Sequence, residues 1–376
     1  TNWRNVLMLN TNFLGLELKN PVIVAAGPWN RDGESLKQSI ASGAGAVVTE
    51  SIVSDTVLDV RPRIACDENG VQNIRLYSDI QIEGWEREMS IAKSNGGVVI
   101  ASVSAHTPSE IAYLASKMEK FGADAIEISV SNPMWESLEI MASHADVVYD
   151  MTKEVVSNVK IPVIVKLSQN TTNISKVAKA VKAAGGSGVS AINTVRGILG
   201  VDIEKAQPVL STYGGISGQY IKPLGLASVA TIAQTVDIPI CGIGGIRDAK
   251  GAIEYMMMGA SVVQVGTAVM TEGRGIIGEI LAQMENWLYT HGLSSIDKVK
   301  NKALENLKSF DEMKIEPAVS TVQGVPCTEE CDKCIVSCLY GAISRNGTII
   351  NVDETKCTGC GLCTFMCPIK KLKLAW

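Results

Sequence analysis

Eight of the ten cysteines in this 376-residue chain lie in its last fifty residues, in two runs of four. The runs are Cys327-x3-Cys331-x2-Cys334-x3-Cys338 and Cys357-x2-Cys360-x2-Cys363-x3-Cys367-Pro368. Thiolate sulfur is a soft ligand that suits iron, and such short loops can wrap three ligands around one face of a metal cluster. The spacing therefore predicts that residues 327–376 form a small, separate metal-binding unit.

The second run matches the bacterial ferredoxin pattern at every position, whereas the first has one extra residue between its first two cysteines. In ferredoxins with two clusters, the fourth cysteine of each run ligates the other cluster. We therefore predict two [4Fe-4S] clusters. One would be held by Cys327, Cys331, Cys334 and Cys367, and the other by Cys357, Cys360, Cys363 and Cys338.

Two zinc sites or a disulfide framework are the alternatives for these cysteines. Zinc sites usually present two separated cysteine pairs, and no secretory signal supports disulfides. The other two cysteines, Cys66 and Cys241, are expected to be small core hydrophobes.

The first 270 residues contain eight short apolar or β-branched runs, each followed by a stretch of helical length. They are residues 22–25, 46–49, 98–102, 125–130, 163–167, 189–192, 238–242 and 262–266. Several are apolar throughout, which is typical of strands covered on both faces. The pattern predicts an α/β fold, a closed (β/α)8 barrel. An open doubly wound sheet is the alternative.

The barrel is expected to occupy residues 1–300. Residues 294–314 have the pattern of a polar amphipathic helix, and residues 316–326 contain two prolines and a glycine that favour a linker. We therefore divide the chain into a barrel, a helix and linker over 301–326, and the cysteine unit.

The net charge of −5 gives no reason to expect binding to nucleic acid or to an anionic membrane. The longest apolar runs are too short to span a bilayer, and the first ten residues lack the pattern of a signal peptide. We expect a cytoplasmic protein. Iron–sulfur clusters pass single electrons, so a cluster unit fused to a barrel implies a second redox centre there, for which flavin is the natural candidate.

Three glycine-rich segments follow expected strands, at residues 212–218, 242–246 and 265–268. Barrel active sites lie at the C-terminal ends of the strands, where glycines let backbone N–H groups approach a phosphate. Lys166 ends the fifth strand inside an apolar run, where a charge needs an anionic partner. We expect that partner to be a flavin ring, and a buried ion pair is the alternative.

Seven segments together resemble the flavin barrel of dihydroorotate dehydrogenases: NPVIVAAGP (20–28), RPRI (61–64), IPVIVKL (161–167), INTVRG (192–197), TYGGISGQYIKPLGL (212–226), GIGGI (242–246) and VQVGTA (263–268). With the cysteine runs, their order also resembles the catalytic part of dihydropyrimidine dehydrogenases. The resemblance implies FMN, two [4Fe-4S] clusters, a dimer, hydride exchange between flavin N5 and a substrate carbon, and an acid/base on the loop after the fourth strand.

The resemblance also assigns residues. The implied flavin contacts are Ala26, Gly27, Thr49, Lys166, Asn193, Thr194, Gly215, Ser217, Gly218, Gly244, Gly245, Gly266 and Thr267. The implied substrate contacts include Asn73, Asn193 and Thr194, and Lys166 is also expected to serve catalysis.

The chain departs from the family at positions that would face the substrate. Glu50 replaces a lysine, Ser129 replaces an amide, Arg75 replaces an acid and Tyr77 replaces an aliphatic residue. We therefore hypothesise that Arg75 binds a substrate carboxylate and that Glu50 faces a cationic or N–H-rich group. The alternative is that Arg75 and Glu50 pair with each other.

The proton donor is also altered, because residues 135–149 contain no counterpart of the family's loop cysteine. Ser143 overlays that cysteine best and is our first choice. His144 is the second, since its ordinary pKa suits proton transfer at neutral pH.

These observations predict an oxidoreductase acting on CH–CH bonds, which reduces or forms an activated C=C bond of a small polar, carboxylate-bearing molecule. The alternatives are a dihydropyrimidine dehydrogenase acting on uracil or thymine, or an electron-transfer subunit with a degenerate barrel. We expect a homodimer or higher oligomer, with a ferredoxin or a separate NAD(P)H–FAD subunit as the electron-transfer partner.

Overall fold

The computed structural model describes residues 8–56, 60–313, 318–324, 327 and 331–374. The chain divides after Leu307 into two compact units. The division falls within the segment expected to be a helix and linker. No helix among the described residues is long and apolar enough to cross a membrane.

The first unit is built on eight parallel strands that close into a barrel in chain order. They are β1 Val22–Val24, β2 Ala46–Val48, β3 Val98–Val103, β4 Ala125–Ser129, β5 Val163–Leu167, β6 Gly188–Ala191, β7 Ile240–Ile243 and β8 Val262–Val265. Strand β8 pairs with β1 and closes the ring. The (β/α)8 barrel and its eight expected strands are confirmed, and the open sheet is excluded.

Ten α-helices accompany the barrel in the part of the first unit that the structure describes. They are α1 Gly33–Ala41, α2 Gly84–Lys93, α3 Pro108–Lys120, α4 Glu136–Ser143, α5 Ala145–Asn158, α6 Ile174–Ala183, α7 Lys222–Thr235, α8 Ala249–Met257, α9 Thr267–Glu272 and α10 Ile276–Thr290. At the N-termini of several helices, a side chain accepts a hydrogen bond from a backbone N–H group of the first turn. The residues that do so are Asp32, Thr107, Asn173 and Asp248. The largest apolar cluster lies between these helices and the strands.

The interior of the barrel is apolar at the N-terminal ends of the strands. An N-terminal hairpin, Thr11–Phe13 and Leu16–Leu18, contributes Phe13 and Leu18 to the cluster formed by barrel residues such as Ile23, Ile100 and Ile164. This packing fills one end of the barrel, so the C-terminal ends of the strands are left for a site.

A four-stranded antiparallel sheet contains the glycine-rich segment that we expected to be a loop. Its strands, in spatial order, are Val195–Gly197, Gly214–Gly218, Gly70–Asn73 and Ile64–Cys66. A Cβ at Gly214 would lie 2.8 Å from the side chains of Gln72 and Ile74, so glycine permits the close approach of the neighbouring strand. Cys66 is exposed, so the prediction that it lies in the core is wrong. Cys241 is buried, as predicted.

The helix expected over residues 294–314 is wrong where the structure describes it. The segment contains short 3-10 turns, Ile296–Val299, Leu304–Asn306 and Phe310–Glu312. The backbone N–H groups of Asn301 and Ala303 donate to the carbonyls of Met256 and Met257, at the end of α8. These tertiary hydrogen bonds replace the local ones that a continuous helix needs. Lys314 lies outside the described residues.

Among its described residues, the second unit contains two antiparallel strand pairs and two short α-helices. Ser320–Val322 pairs with Leu372–Leu374, and Ile343–Asn346 pairs with Ile349–Val352. The helices are α11 Lys333–Val336 and α12 Leu362–Met366. Residues 320–322, which we expected in the linker, are therefore part of this unit's sheet.

Candidate functional site

A cavity of about 350 Å³ opens at the C-terminal ends of the barrel strands, a volume within the range of ligand pockets. Eleven of the expected flavin contacts line it: Ala26, Gly27, Lys166, Asn193, Thr194, Ser217, Gly218, Gly244, Gly245, Gly266 and Thr267. Thr49 and Gly215 do not. Thr49 is buried and its Oγ1 accepts a hydrogen bond from the backbone N–H of Ser102, at 2.9 Å. Gly215 lies in the antiparallel sheet beside Thr194.

Glycines shape the wall of this cavity after β7. Gly245 has a φ of +67°, and a Cβ there would lie 2.6 Å from the carbonyl oxygen of Gly218. The backbone segments at Gly218 and Gly245 therefore approach each other closely at the cavity. Glycines of this kind let backbone N–H groups reach a phosphate. The hydroxyl of Thr267, at the start of α9, donates to Ser217 Oγ at 2.8 Å and links the loop after β8 to the same wall.

Lys166 has a protein partner. Its Nζ lies 3.4 Å from Oε1 of Glu127, which is fully buried. The other oxygen of Glu127 accepts hydrogen bonds from Ser190 Oγ and Gln264 Nε2, both at 2.7 Å. The buried ion pair that we held as the less favoured alternative is therefore present. Lys166 nevertheless lines the cavity, so its contact with a ligand there is compatible with the pair.

Two cavity residues that the sequence analysis missed show what the cavity can hold. Gln264 Oε1 is buried and has no hydrogen-bond partner among the described residues, which leaves an acceptor for a ligand N–H. The indole N–H of Trp29 donates to the carbonyl of Ala25 at 2.7 Å. Its ring packs against Gly27 so closely that a Cβ at that position would overlap it. A polar acceptor, a flat aromatic wall and a glycine-lined end fit a flavin nucleotide.

A second cavity of about 120 Å³ adjoins the first. Both are lined by Lys166, Asn193, Thr194 and Asn73. All the expected substrate residues line the second cavity: Glu50, Asn73, Arg75, Tyr77, Ser129, Asn193 and Thr194. The structure thus brings together the group that the sequence analysis assigned to the substrate.

Arg75 and Glu50 bind each other in this second cavity. The Nε of Arg75 lies 2.5 Å from Oε1 of Glu50, and its Nη2 lies 2.9 Å from Oε2. Both side chains are only 6% exposed. The carboxylate of Asp79, which is largely exposed, also lies near Arg75, with its Oδ1 3.9 Å from Arg75 Nη2. The pairing of Arg75 with Glu50, which was the alternative to the binding of a substrate carboxylate, is therefore present, and the two charges satisfy each other.

The eight clustered cysteines lie in the second unit. Burial, and the negative charges of the Cys367, Cys327 and Cys331 thiolates, raise the pKa of the Cys334 thiol. The backbone N–H of Lys371 donates to Cys367 Sγ at 3.2 Å. These four cysteines are the set that the spacing predicted for one cluster.

The other predicted set, Cys338, Cys357, Cys360 and Cys363, lines one small cavity. The backbone N–H groups of Ala342 and Ser320 donate to Cys338 Sγ and Cys357 Sγ, at 3.3 and 3.4 Å. Burial acts to raise the pKa of Cys338, but several backbone N–H groups outweigh it and lower that pKa. Hydrogen bonds to sulfur are typical of iron–sulfur ligands.

Among the residues that the structure describes, no group of three His, Cys, Asp or Glu side chains is arranged to hold a single metal ion.

The family model for dihydroorotate dehydrogenase matches residues 8–288. The chain belongs to the dihydroorotate dehydrogenase family. A model for the 4Fe-4S binding domain also matches residues 350–370, which contain the second cysteine run. As a member of this family, the chain is a flavoprotein oxidoreductase acting on CH–CH bonds, and it carries a 4Fe-4S binding segment.

Several curated relatives in this family are named dihydroorotate dehydrogenase B (NAD(+)), catalytic subunit. The protein of Thermoplasma volcanium is 37% identical over 300 residues, covering 79% of this chain and 99% of its own length. The protein of Methanosarcina acetivorans is 38% identical over 293 residues, covering 77% and 94%. That of Methanothermobacter thermautotrophicus is 34% identical, covering 78% and 97%. About a fifth of this chain therefore extends beyond what it shares with them.

Ser143 and His144 of this chain line neither of the two cavities. Ser143 Oγ donates to the carbonyl of Ile140 at 2.7 Å, and His144 is exposed, with its Nδ1 2.7 Å from the same carbonyl. Their expected role as proton donors has no support in this geometry. The chain turns into α4 soon after β4, so earlier residues face the cavity instead.

Those earlier residues include Ser131 and Asn132, which the sequence analysis did not single out. Ser131 Oγ accepts a hydrogen bond from Asn193 Nδ2 at 2.8 Å. The side chain of Asn132 interacts with the hydroxyl of Tyr77, as does that of Ser104. Burial raises the pKa of Tyr77, against the smaller opposing effect of these hydrogen bonds. A residue that holds a proton thus faces the second cavity.

Proposed function

We propose that FMN occupies the larger cavity, that a small polar substrate occupies the smaller one, and that the protein interconverts a C–C single bond and an activated C=C bond of that substrate. The observation that supports this proposal is that the two cavities adjoin each other. Because Lys166, Asn193 and Thr194 line both, a ligand in one lies beside a ligand in the other. When bound, FMN would supply the hydride acceptor or donor.

The residues divide the binding between them. Gly244, Gly245, Gly266 and Thr267 offer backbone N–H groups to the phosphate, and Ser217, whose oxygen accepts from Thr267, offers its hydroxyl. Gln264 offers its unpaired oxygen to a ring N–H. On the substrate side, the amides of Asn73 and Asn193 and the hydroxyl of Thr194 hold polar edges of the substrate.

Tyr77 is the proton donor in this proposal. Among the described residues that line the smaller cavity, serine and threonine hydroxyls are far weaker acids than a phenol, whose ordinary pKa is about 10. Tyr77 is protonated at neutral pH, the state from which a general acid donates, although burial raises its pKa and makes it a weaker donor. The side chains of Asn132 and Ser104 fix the direction of the hydroxyl.

The cysteine unit is proposed to hold two [4Fe-4S] clusters, with Cys327, Cys331, Cys334 and Cys367 on one and Cys338, Cys357, Cys360 and Cys363 on the other. They would carry electrons between the flavin and a separate protein, either a ferredoxin or an NAD(P)H–FAD subunit. The names of the relatives support the second of these, because each is called a catalytic subunit that uses NAD. The resemblance also supports a homodimer or higher oligomer.

Anaerobic purification and substrate bleaching test this proposal. We expect one FMN and about eight iron atoms per chain, and loss of the flavin's visible absorbance when a reduced substrate is added. Dihydroorotate and 5,6-dihydrouracil are the first two compounds to try. Purified protein without FMN, or FMN that no reduced compound bleaches although dithionite does, would contradict the proposal. The latter outcome would favour an electron-transfer subunit with a degenerate barrel.

A further inference from the structure

The smaller cavity is lined by charged groups that already have partners. Arg75 and Glu50 form a bidentate pair with both side chains 6% exposed. Lys166 is 3.4 Å from Glu127. The two cations and the two carboxylates cancel. Among the described lining residues, the remaining polar groups are neutral amides and hydroxyls.

A carboxylate entering this cavity would meet Glu50 as well as Arg75. To pair with Arg75 it would have to displace a carboxylate that holds two charge-assisted hydrogen bonds at 2.5 and 2.9 Å. The displaced Glu50 would then remain in a buried position without its cation, which is strongly unfavourable. Glu50 therefore acts as a fixed internal anion in the place where a substrate anion would bind.

An uncharged polar ring has no such difficulty. The side chains of Asn73, Asn132 and Asn193 line this cavity with uncharged amides. Each amide oxygen accepts one backbone N–H and keeps a second lone pair, whereas the N–H groups of Asn193 donate to Ser131. Neutral acceptors of this kind suit the N–H groups of a cyclic amide. A site that pairs its buried polar groups with a substrate discriminates strongly against molecules that leave them unpaired.

We propose that the Arg75–Glu50 pair selects an uncharged substrate of the cyclic amide class and excludes its carboxylate-bearing analogues. This selection rests on the proposed function, since it assigns the substrate class of the same cavity. Dihydroorotate, the compound in the names of the relatives, carries a carboxylate and would be excluded.

Two ligand pairs that differ by a single carboxylate test the selection: uracil against orotate, and 5,6-dihydrouracil against dihydroorotate. Binding of uracil and orotate is measured anaerobically from the change they cause in the absorbance of the bound flavin. We expect the full-length holoprotein to bind uracil roughly 100-fold more tightly than orotate. We also expect 5,6-dihydrouracil, and not dihydroorotate, to bleach the flavin.

The variant Glu50→Gln removes the carboxylate that competes for the Arg75 guanidinium and should reduce the preference for uracil at least about 10-fold by improving orotate binding. The matched control is Asp79→Asn, which changes the exposed partner of the same arginine and should leave the preference unchanged. If Glu50→Gln does not fold, the double variant Glu50→Gln/Arg75→Gln removes both charges. Because no Glu50 carboxylate is then left to repel orotate, the preference for uracil should fall, and an unchanged preference would overturn the selection.

The outcomes separate the selection from the function on which it rests. Bleaching by dihydroorotate, orotate binding as tight as uracil binding, or a Glu50→Gln variant with an unchanged preference would each overturn the selection while the flavin site stands. Bound flavin that responds to neither member of either pair would overturn the cyclic amide class. Protein that binds no flavin would overturn the proposed function itself.

Discussion

Removal of the Lys166 amine should expose two separate roles of that side chain, one in stability and one in flavin binding. Lys166→Met leaves Glu127 fully buried with no cation 3.4 Å away. At an effective dielectric constant of 20, two unit charges at that distance interact by about 5 kcal/mol. Breaking a buried pair by removing one partner typically costs about 3–5 kcal/mol. We expect the thermal unfolding midpoint of the barrel to fall by roughly 6–10 °C.

The double variant Lys166→Met/Glu127→Gln should recover most of that loss. The amide that replaces the Glu127 carboxylate would carry no charge, and its carbonyl oxygen could still accept from Ser190 Oγ and Gln264 Nε2. Removing both partners of a buried pair is often nearly neutral. The affinity for FMN should remain low in the double variant, because Lys166 is absent from the cavity in both proteins.

Thermal unfolding of the full chain, freed of FMN, gives the stability of wild type, both single variants and the double variant. Titration with FMN, followed by quenching of flavin fluorescence, gives the affinity of each. A coupling between the two sites below about 1 kcal/mol would refute the electrostatic pair. Recovery of wild-type FMN affinity in the double variant would refute the flavin contact, and Lys166 would then serve the barrel alone.

Three further predictions follow from the site. Tyr77→Phe should lower substrate turnover by ~10²- to 10⁴-fold, while dithionite still reduces the flavin. Ser143→Ala and His144→Ala, assayed in the same way, should retain turnover within about 2-fold, because neither residue lines either of the two cavities. Full turnover by Tyr77→Phe would show that the donor is another group. Gly245→Ala should weaken FMN binding at least ~10-fold, since its φ is +67° and its Cβ would press on Gly218; an unchanged affinity would place the phosphate elsewhere. Cys338→Ser should reduce iron from about eight to about four atoms per chain and leave FMN unaffected, whereas loss of all the iron would show that the two cysteine groups do not act separately.

Local patterns predicted the parts of this molecule that depend on neighbouring residues. The barrel strands follow from short apolar runs such as β5, and the cysteine groups follow from loop lengths of two and three residues. Lys166 was singled out because a charge interrupts an apolar strand. The same signal at Glu127, in β4, and at Gln264, in β8, was overlooked, although all three residues meet inside the barrel.

Pairings between distant segments were not predictable in the same way. Glu50 and Arg75 are 25 residues apart, and they meet only because the chain after β2 returns through the antiparallel sheet. The segment after α10 has a helical pattern, but its backbone binds the end of α8. Ser143 was placed by its similarity to a loop cysteine, whereas local hydrogen bonds to Ile140 keep it at the end of α4.

The Arg75–Glu50 pair also constrains how such a site can arise within the family. Replacing only one of two buried, paired residues leaves an uncompensated charge, at a cost of about 3–5 kcal/mol, which is a large part of the stability of a domain. The two positions therefore have to change together. We expect that relatives with a glutamate at the position of Glu50 also have an arginine at the position of Arg75, and that those with a lysine at the first position lack an arginine at the second. An alignment of the family checks this, and glutamate at the first position occurring without arginine at the second would contradict the coupling. If the coupling holds, the two positions together identify the members of the family whose substrate carries no carboxylate.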